Sequence, residues 1–254
     1  MSMDLQGKAC LVTGASRGIG AAIARMLADS GAIVAVHYGS NEAAADSVIE
    51  SLPGNGHMTI RADLSHPEDA GRVVDEASSE MGRLDVLVNN AGIFSPHPPL
   101  DVSTEAWLES WNGILAVNLI SPAVLCQAAA KVMADQGGGR IINIGSRGAF
   151  RGEPECSAYG ASKAGLHSMS QSLAVALGSK NIQVFAVAPG FVETDMAKSL
   201  LDSDAGDAIR AQSSANRVAR PEEVAEVVCF LASTGAEFMT GGIIDVNGAS
   251  YLRT

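Results

Sequence analysis

The chain has 254 residues, 47% of them hydrophobic, with a formal net charge of −11. That is ample apolar material for a large core, and α/β folds of this length are commonly single domains. The acidic balance argues against nucleic acid or an anionic membrane surface as a partner. In chain order, ACLVT, IVAVHY, HMTIRA, LDVLVN, RIINIG, QVFAVA and IIDVN read as strands. They are mostly apolar on both faces, as strands of a covered parallel sheet must be. Between them 18–30, 41–51, 66–81, 103–135, 157–179 and 221–233 read as helices. Strands alternating with helices predict an α/β fold, a doubly wound parallel sheet of about seven strands with helices on both faces, spanning 1–254 as one domain.

The polar stretch 196–216 breaks this rhythm. It begins just beyond a strand's carboxyl end, where ligands bind in such sheets, which predicts a mobile substrate lid over 190–216; the alternative is a surface excursion without a role. The four cysteines, Cys10, Cys126, Cys156 and Cys229, form neither CxxC nor a zinc-spaced cluster. They fit a reducing compartment, and no metal site is expected. No charged-then-apolar leader opens the sequence and no unbroken apolar run approaches about 18 residues, so a cytoplasmic protein without a membrane partner is expected.

TGASRGIG, Thr13 to Gly20, lies between the first strand and a helix whose Ile19, Ile23, Met26 and Leu27 fall at helical spacing. A glycine-rich turn there lets the backbone approach a phosphate, and the helix N-terminus adds free N–H groups and a positive dipole end. Gly14, Gly18 and Gly20 are spaced GxxxGxG, and the context makes this a Rossmann-like nucleotide site rather than an ordinary tight turn.

A second constellation lies in IINIGSRGAFRGEPECSAYGASKAG. Tyr159 and Lys163 are four residues apart and share a helix face, thirteen residues after Ser146 at the end of an apolar strand. A neighbouring cation favours phenolate, and a phenol, an ammonium and a hydroxyl together suit proton transfer to a carbonyl oxygen.

With these residues in place, the chain resembles the short-chain dehydrogenase/reductases. TGASRGIG is similar to that family's cofactor turn, NNAG (Asn89 to Gly92) to its sheet-stabilising motif, and YGASK to its active-site tyrosine and lysine. Asn118 in LAVNL, Ser146 and APGFVETDM (Ala188 to Met196) stand in the family's order. Within the family, GRIINIGS, the TDM stretch and FMTGGIIDVNG are most similar to 3-oxoacyl-[acyl-carrier-protein] reductases. The resemblance implies a catalytic set of Asn118, Ser146, Tyr159 and Lys163. It implies a cofactor set of Gly14, Ser16, Arg17, Gly18, Ile19, Gly20, Tyr38, Ser40, Asn41, Asp63, Leu64, Asn90, Ala91, Gly92, Tyr159, Lys163, Pro189, Gly190, Val192 and Thr194. It further implies a homotetramer or homodimer in which 103–135 and 157–179 pair between subunits.

The cofactor choice rests on the end of the second strand, where an acid would accept the adenosine ribose and repel a 2′-phosphate. Tyr38, Gly39, Ser40 and Asn41 stand there with no carboxylate until Glu42, and Arg17 in the turn can reach a phosphate. NADP(H) is therefore favoured over NAD(H), although Arg17 also reads as a solvated turn residue. Asp63 either sits by the adenine or caps a helix. The substrate is a small molecule or an acyl thioester. Against acyl-carrier docking, ADQGG rather than a basic patch precedes GRII. A small ketone, sugar or other secondary alcohol is the alternative, and a non-catalytic NADP(H) sensor the alternative of another class. His167, Cys156, Trp107 and Trp111 read as packing, and the prolines around His97 as a stiff loop.

Overall fold

A computed structural model describes residues 3–253, apart from the side chains of Met196 and Ser199. Seven strands form one sheet: β1 (Ala9–Val12), β2 (Ile33–Tyr38), β3 (Met58–Arg61), β4 (Val86–Asn89), β5 (Gly139–Ile144), β6 (Ile182–Pro189) and β7 (Ile243–Val246). Their order is β3-β2-β1-β4-β5-β6-β7, and every neighbouring pair is parallel. The direction of winding reverses between β1 and β4, so a crevice opens at their carboxyl ends, where doubly wound sheets bind ligands.

The helices are α1 (Gly18–Asp29), α2 (Glu42–Ser51), α3 (Ala70–Met81), α4 (Thr104–Leu115), α5 (Ser121–Asp135), α6 (Gly148–Arg151), α7 (Ser157–Leu177), α8 (Asp195–Leu201), α9 (Gly206–Arg210) and α10 (Pro221–Ala232). Successive residues of the central strands enter opposite layers. Val12, Val88, Ile142 and Phe185 pack with Ile23, Leu27, Val224 and Val228 of α1 and α10. Leu11, Leu87, Ile141 and Val184 pack with Val73, Leu125 and Met133 of α3 and α5. This explains why the strands read as unbroken apolar runs. Truncating one such residue to alanine, Leu87 for instance, costs about 2–5 kcal/mol.

Local chemistry fixes several boundaries. Asn41 caps α2 by accepting the Ala44 N–H at 3.0 Å, and Ser103 caps α4 through Ala106. The predicted helix 103–135 is interrupted: Ala116–Ile120 forms a π turn between α4 and α5. By length and composition Thr104–Asp135 is apolar enough to cross a membrane, although charged and polar residues interrupt its apolar runs. Here Ile114, Leu125, Cys126, Ala129 and Met133 instead fill the protein core. The irregular stretch 190–216 carries the short helices α8 and α9, and Val192 bridges to Ala219.

Candidate active site

The crevice between β1 and β4 is closed by side chains of the glycine turn and the NNAG segment. Thr13 Oγ1 accepts the backbone N–H groups of Asn90 and Ala91 at 3.0 and 3.1 Å. Asn90 in turn donates from Nδ2 to the carbonyls of Thr13 and Gly14. Gly14 has φ +61°, and a Cβ there would stand 2.8 Å from Ala91 Cα. A Cβ on Gly20 would meet Gly14 O and Asn90 Nδ2. Helix α1 starts at Gly18 with no side-chain cap from Arg17 and no acid in its first turn, so its N–H groups remain available to an anion. Gly18 lies against Thr194, which brings the start of the 190–216 stretch to the turn. Ser16 and Ile19 are half-buried beside it, and Arg17 is exposed.

At the end of β2 the placement differs in part from the sequence expectation. Tyr38 is 4% exposed and belongs to the core with Ala45, Val48 and Leu52, so its ring is packing. Gly39 and Ser40 are the exposed residues there, and the Asn41 side chain is engaged as the α2 cap. Arg61, in register with Tyr38 on β3, is an exposed cation that inspection of β2 alone passes over. Asp63 Oδ1 accepts the Ser65 N–H at 2.9 Å in a loop turn, not at a helix cap, and this bond holds its carboxyl below the ordinary range. Leu64 is buried, and its carbonyl takes the Ser121 hydroxyl. Gly190 donates to Val246 O, which ties the segment after Pro189 to β7.

The four catalytic candidates gather around the carboxyl end of β5. Lys163 is 4% exposed; its Nζ donates to Ile144 O at 2.8 Å and lies 5.8 Å from the Tyr159 ring centre. Burial pulls the Lys163 ammonium down to about 8, within reach of neutral pH. Burial pushes the Tyr159 phenol up, and the group opposing that is the Ser146 hydroxyl. The Lys163 ammonium stands over the Tyr159 ring while donating to the β5 carbonyl. Ser146 Oγ also accepts the Gly148 N–H at 2.9 Å, which fixes the hydroxyl. Phe94 packs edge-on against Tyr159 at 5.2 Å.

Asn118 sits in the π turn, fully buried. It accepts the Ile93 N–H at 2.8 Å, returns Nδ2 to Ile93 O at 2.9 Å, and reaches Ser162 Oγ at 3.3 Å. Its Oδ1 would be 3.4 Å and Lys163 Nζ 3.5 Å from a Cβ on Gly92, so the two polar groups converge at that glycine. An extra residue in one helical turn is what lets this side chain face inward.

Two histidines escaped the sequence reading. His37 Nδ1 accepts the Gly14 N–H at 3.1 Å while Nε2 faces Ala62 O at 3.2 Å, which fixes the neutral Nε2–H tautomer under the glycine turn. Burial draws it down to about 4. His97 is 1% exposed and caps the start of α7 through Ala158 N at 3.2 Å. A histidine within an otherwise apolar strand was the available signal for the first. Nothing in the sequence linked His97 to a helix this far along the chain. His167 packs on Phe150 at 5.0 Å, Cys156 is fully buried, and Trp107 and Trp111 lie 6.1 Å apart on one face, all as expected of packing.

Comparison with known proteins places this arrangement. A family model described as enoyl-(acyl carrier protein) reductase matches residues 14–249. The chain is 40% identical over 250 residues to 3-oxoacyl-[acyl-carrier-protein] reductase FabG of Escherichia coli (strain K12), covering 98% of this chain and 100% of that one. It is 38% identical to cis-4-hydroxycyclohexanecarboxylate dehydrogenase of Sinomonas cyclohexanicum, with 95% of each covered. A short-chain dehydrogenase from Burkholderia cenocepacia J2315, solved in complex with NADP, superposes with a TM-score of 0.87 at 36% identity, covering 97% of this chain and 98% of that one. The seven-stranded parallel sheet, the glycine turn and the full-length similarity together make this chain a member of the short-chain dehydrogenase/reductase family of oxidoreductases.

Proposed function

We propose that the protein interconverts a ketone and a secondary alcohol by hydride exchange with NADP(H), with Tyr159 as proton donor to the carbonyl oxygen. The observation that carries this reading is the convergence of a buried ammonium, a half-buried phenol and a fixed serine hydroxyl at the end of β5. When bound, the nicotinamide supplies the hydride. The donor set fits such a cofactor: the uncapped first turn of α1 offers its N–H groups to a pyrophosphate, the lack of a side chain at Gly14 lets the turn pack closely on Ala91, and Arg17 is exposed and able to take a 2′-phosphate. Asn90, Ala91, Gly92, Pro189, Gly190, Val192 and Thr194 line the path toward the reacting end.

Ser146 holds the carbonyl in line, and Tyr159 delivers the proton as charge develops on oxygen. Lys163 hydrogen-bonds the ribose and keeps positive charge near the phenol. Asn118 anchors the proton's return route. The 190–216 stretch closes over the substrate as a lid, and the single domain assembles as a homotetramer or homodimer in the cytoplasm.

The similarity to FabG supports a 3-oxoacyl thioester as substrate. A small hydroxylated ketone is a second reading, favoured by Glu153. Its carboxyl is half-buried, forms no ion pair among the described residues, and would stand 2.6 Å from a Cβ on Gly148 beside Ser146. An unpaired carboxylate there accepts hydroxyl groups and repels anionic chains. Loss of NADPH absorbance with a panel of ketones and 3-oxoacyl thioesters separates these readings. Thioester-only turnover selects the acyl reductase, and turnover of small ketones the second. Tight cofactor binding without turnover of any substrate selects the sensor and overturns the proposal.

A further inference from the structure

Immediately after Ser146 the chain buries a second cation that the proposed chemistry does not use. Arg147 is 4% exposed, lies over the Phe191 ring at 4.9 Å, and donates from Nη2 to Gln212 Oε1 at 2.6 Å. Arg151 donates to the same oxygen at 2.9 Å. Two guanidinium groups thus share one neutral acceptor, and among the described residues Arg147 has no carboxylate within 4.0 Å. A buried charge is costly unless it is paired and hydrogen-bonded. Burial and Arg151 both weaken the charged form, and Glu153 favours it only from beyond ion-pair distance.

Arg147 lines a cavity of about 190 Å³ between the 190–216 stretch and the carboxyl ends of β6 and β7. Ser213, Asn247 and Ser250 also line it, and the Ser250 hydroxyl is buried with no hydrogen-bond partner among the described residues. Two carboxylates on its wall are already neutralised: Asp245 by Arg253 at 2.7 Å and Glu223 by Arg217 at 2.6 Å. Among the described residues the cavity therefore offers a guanidinium with no carboxylate partner and a hydroxyl with no partner, inside a chain that is strongly acidic overall.

We propose that this cavity is a binding site for a small carboxylate or phosphate anion, held by Arg147 and Ser250. A guanidinium fork matches either group, and the volume admits an ion of phosphate or malonate size. The site is separate from the glycine turn. Gln212 follows α9 and Arg147 follows Ser146, so a bound anion holds the lid segment against the strand that presents the serine.

The test uses the full chain saturated with NADP+, so that the glycine turn is filled. Malonate and inorganic phosphate are titrated by calorimetry and by melting temperature, with chloride at matched ionic strength as control. The wild type binds at least one of the two anions saturably and melts higher in it than in chloride. Arg147→Met weakens that binding about tenfold or more and Ser250→Ala severalfold, as expected for losing a charge-assisted and a neutral hydrogen bond. Should Arg147→Met fail to fold, Gln212→Glu decides: it supplies an internal carboxylate to both arginines, raising the melting temperature without added anion and abolishing the anion response. No preference for either anion over chloride in the wild type, or equal responses in Ser250→Ala and Gln212→Glu, overturns the proposal.

Discussion

The Nε2 atom of His97 accepts the backbone N–H of Ala158 at 3.2 Å, so a loop 61 residues upstream caps the helix that carries Tyr159. The imidazole is set for this task from its other side, where Nδ1 lies 2.8 Å from Ser95 O and donates to it, and Trp107 packs edge-on at 5.1 Å. Cys156, the residue at the N-cap position of α7, makes no side-chain cap of its own. The cap therefore fixes both the start of the helix and the loop carrying Phe94, which touches the Tyr159 ring.

His97→Ala should lower stability by about 1–2 kcal/mol, the usual cost of a lost N-cap. It should also lower kcat about tenfold while leaving the KM for cofactor unchanged. His97→Gln, whose amide oxygen reaches the Nε2 position, should restore most of the activity. Steady-state kinetics and urea titration of both variants check this, and equal losses in both would reduce His97 to simple packing.

The proposed preference for NADP(H) rests on Arg17, with the exposed Arg61 beside it. Arg17→Ala should raise the KM for NADPH about tenfold, since a charge-assisted contact to phosphate contributes roughly 1.5–3 kcal/mol. The KM for NADH should hardly move, because that cofactor lacks the 2′-phosphate. Side-by-side kinetics with the two cofactors measure the difference.

Acid should destabilise this protein earlier than its carboxylates alone would require. His37 and His167 are both drawn down to about 4, chiefly by burial. Between about 4 and the ordinary histidine value the unfolded chain binds more protons than the native one. Their contribution is therefore complete above about 6.5 and is lost as pH falls toward 4. Both ring nitrogens of His167 are buried without partners among the described residues, and its ring already stacks on Phe150 at 5.0 Å. His167→Phe should flatten the acid limb and add about 1 kcal/mol at neutral pH by removing two unsatisfied polar atoms. Urea unfolding at several pH values tests both parts.

Much of the architecture was legible because the strands are apolar on both faces. Ile33–Tyr38 was bounded by its own composition, and the helices of α1, α2, α7 and α10 by their apolar spacing. The π turn at Asn118 was not legible, since one extra residue only shifts the phase of an otherwise regular pattern. The short helices α6, α8 and α9 carry too few residues to display a period. Among site residues, the convergence of Ser146, Tyr159 and Lys163 followed from spacing. The burial of the Tyr38 ring was not legible, because sequence gives a residue's position on a strand but not which way its ring packs. The capping by His97 and the Gly14 bond to His37 depend on tertiary approach, and the pairing of Arg147 with Gln212 likewise.

The central claim is that the Tyr159 hydroxyl delivers the proton. Tyr159→Phe keeps the ring packed on Phe94 and removes only that group. The measurement is kcat for reduction of a substrate ketone, taken together with the NADPH dissociation constant of the same preparation. The account predicts a dissociation constant within about twofold of wild type and a kcat lower by about a thousandfold or more, in the range general acids supply. A kcat within tenfold of wild type would contradict it.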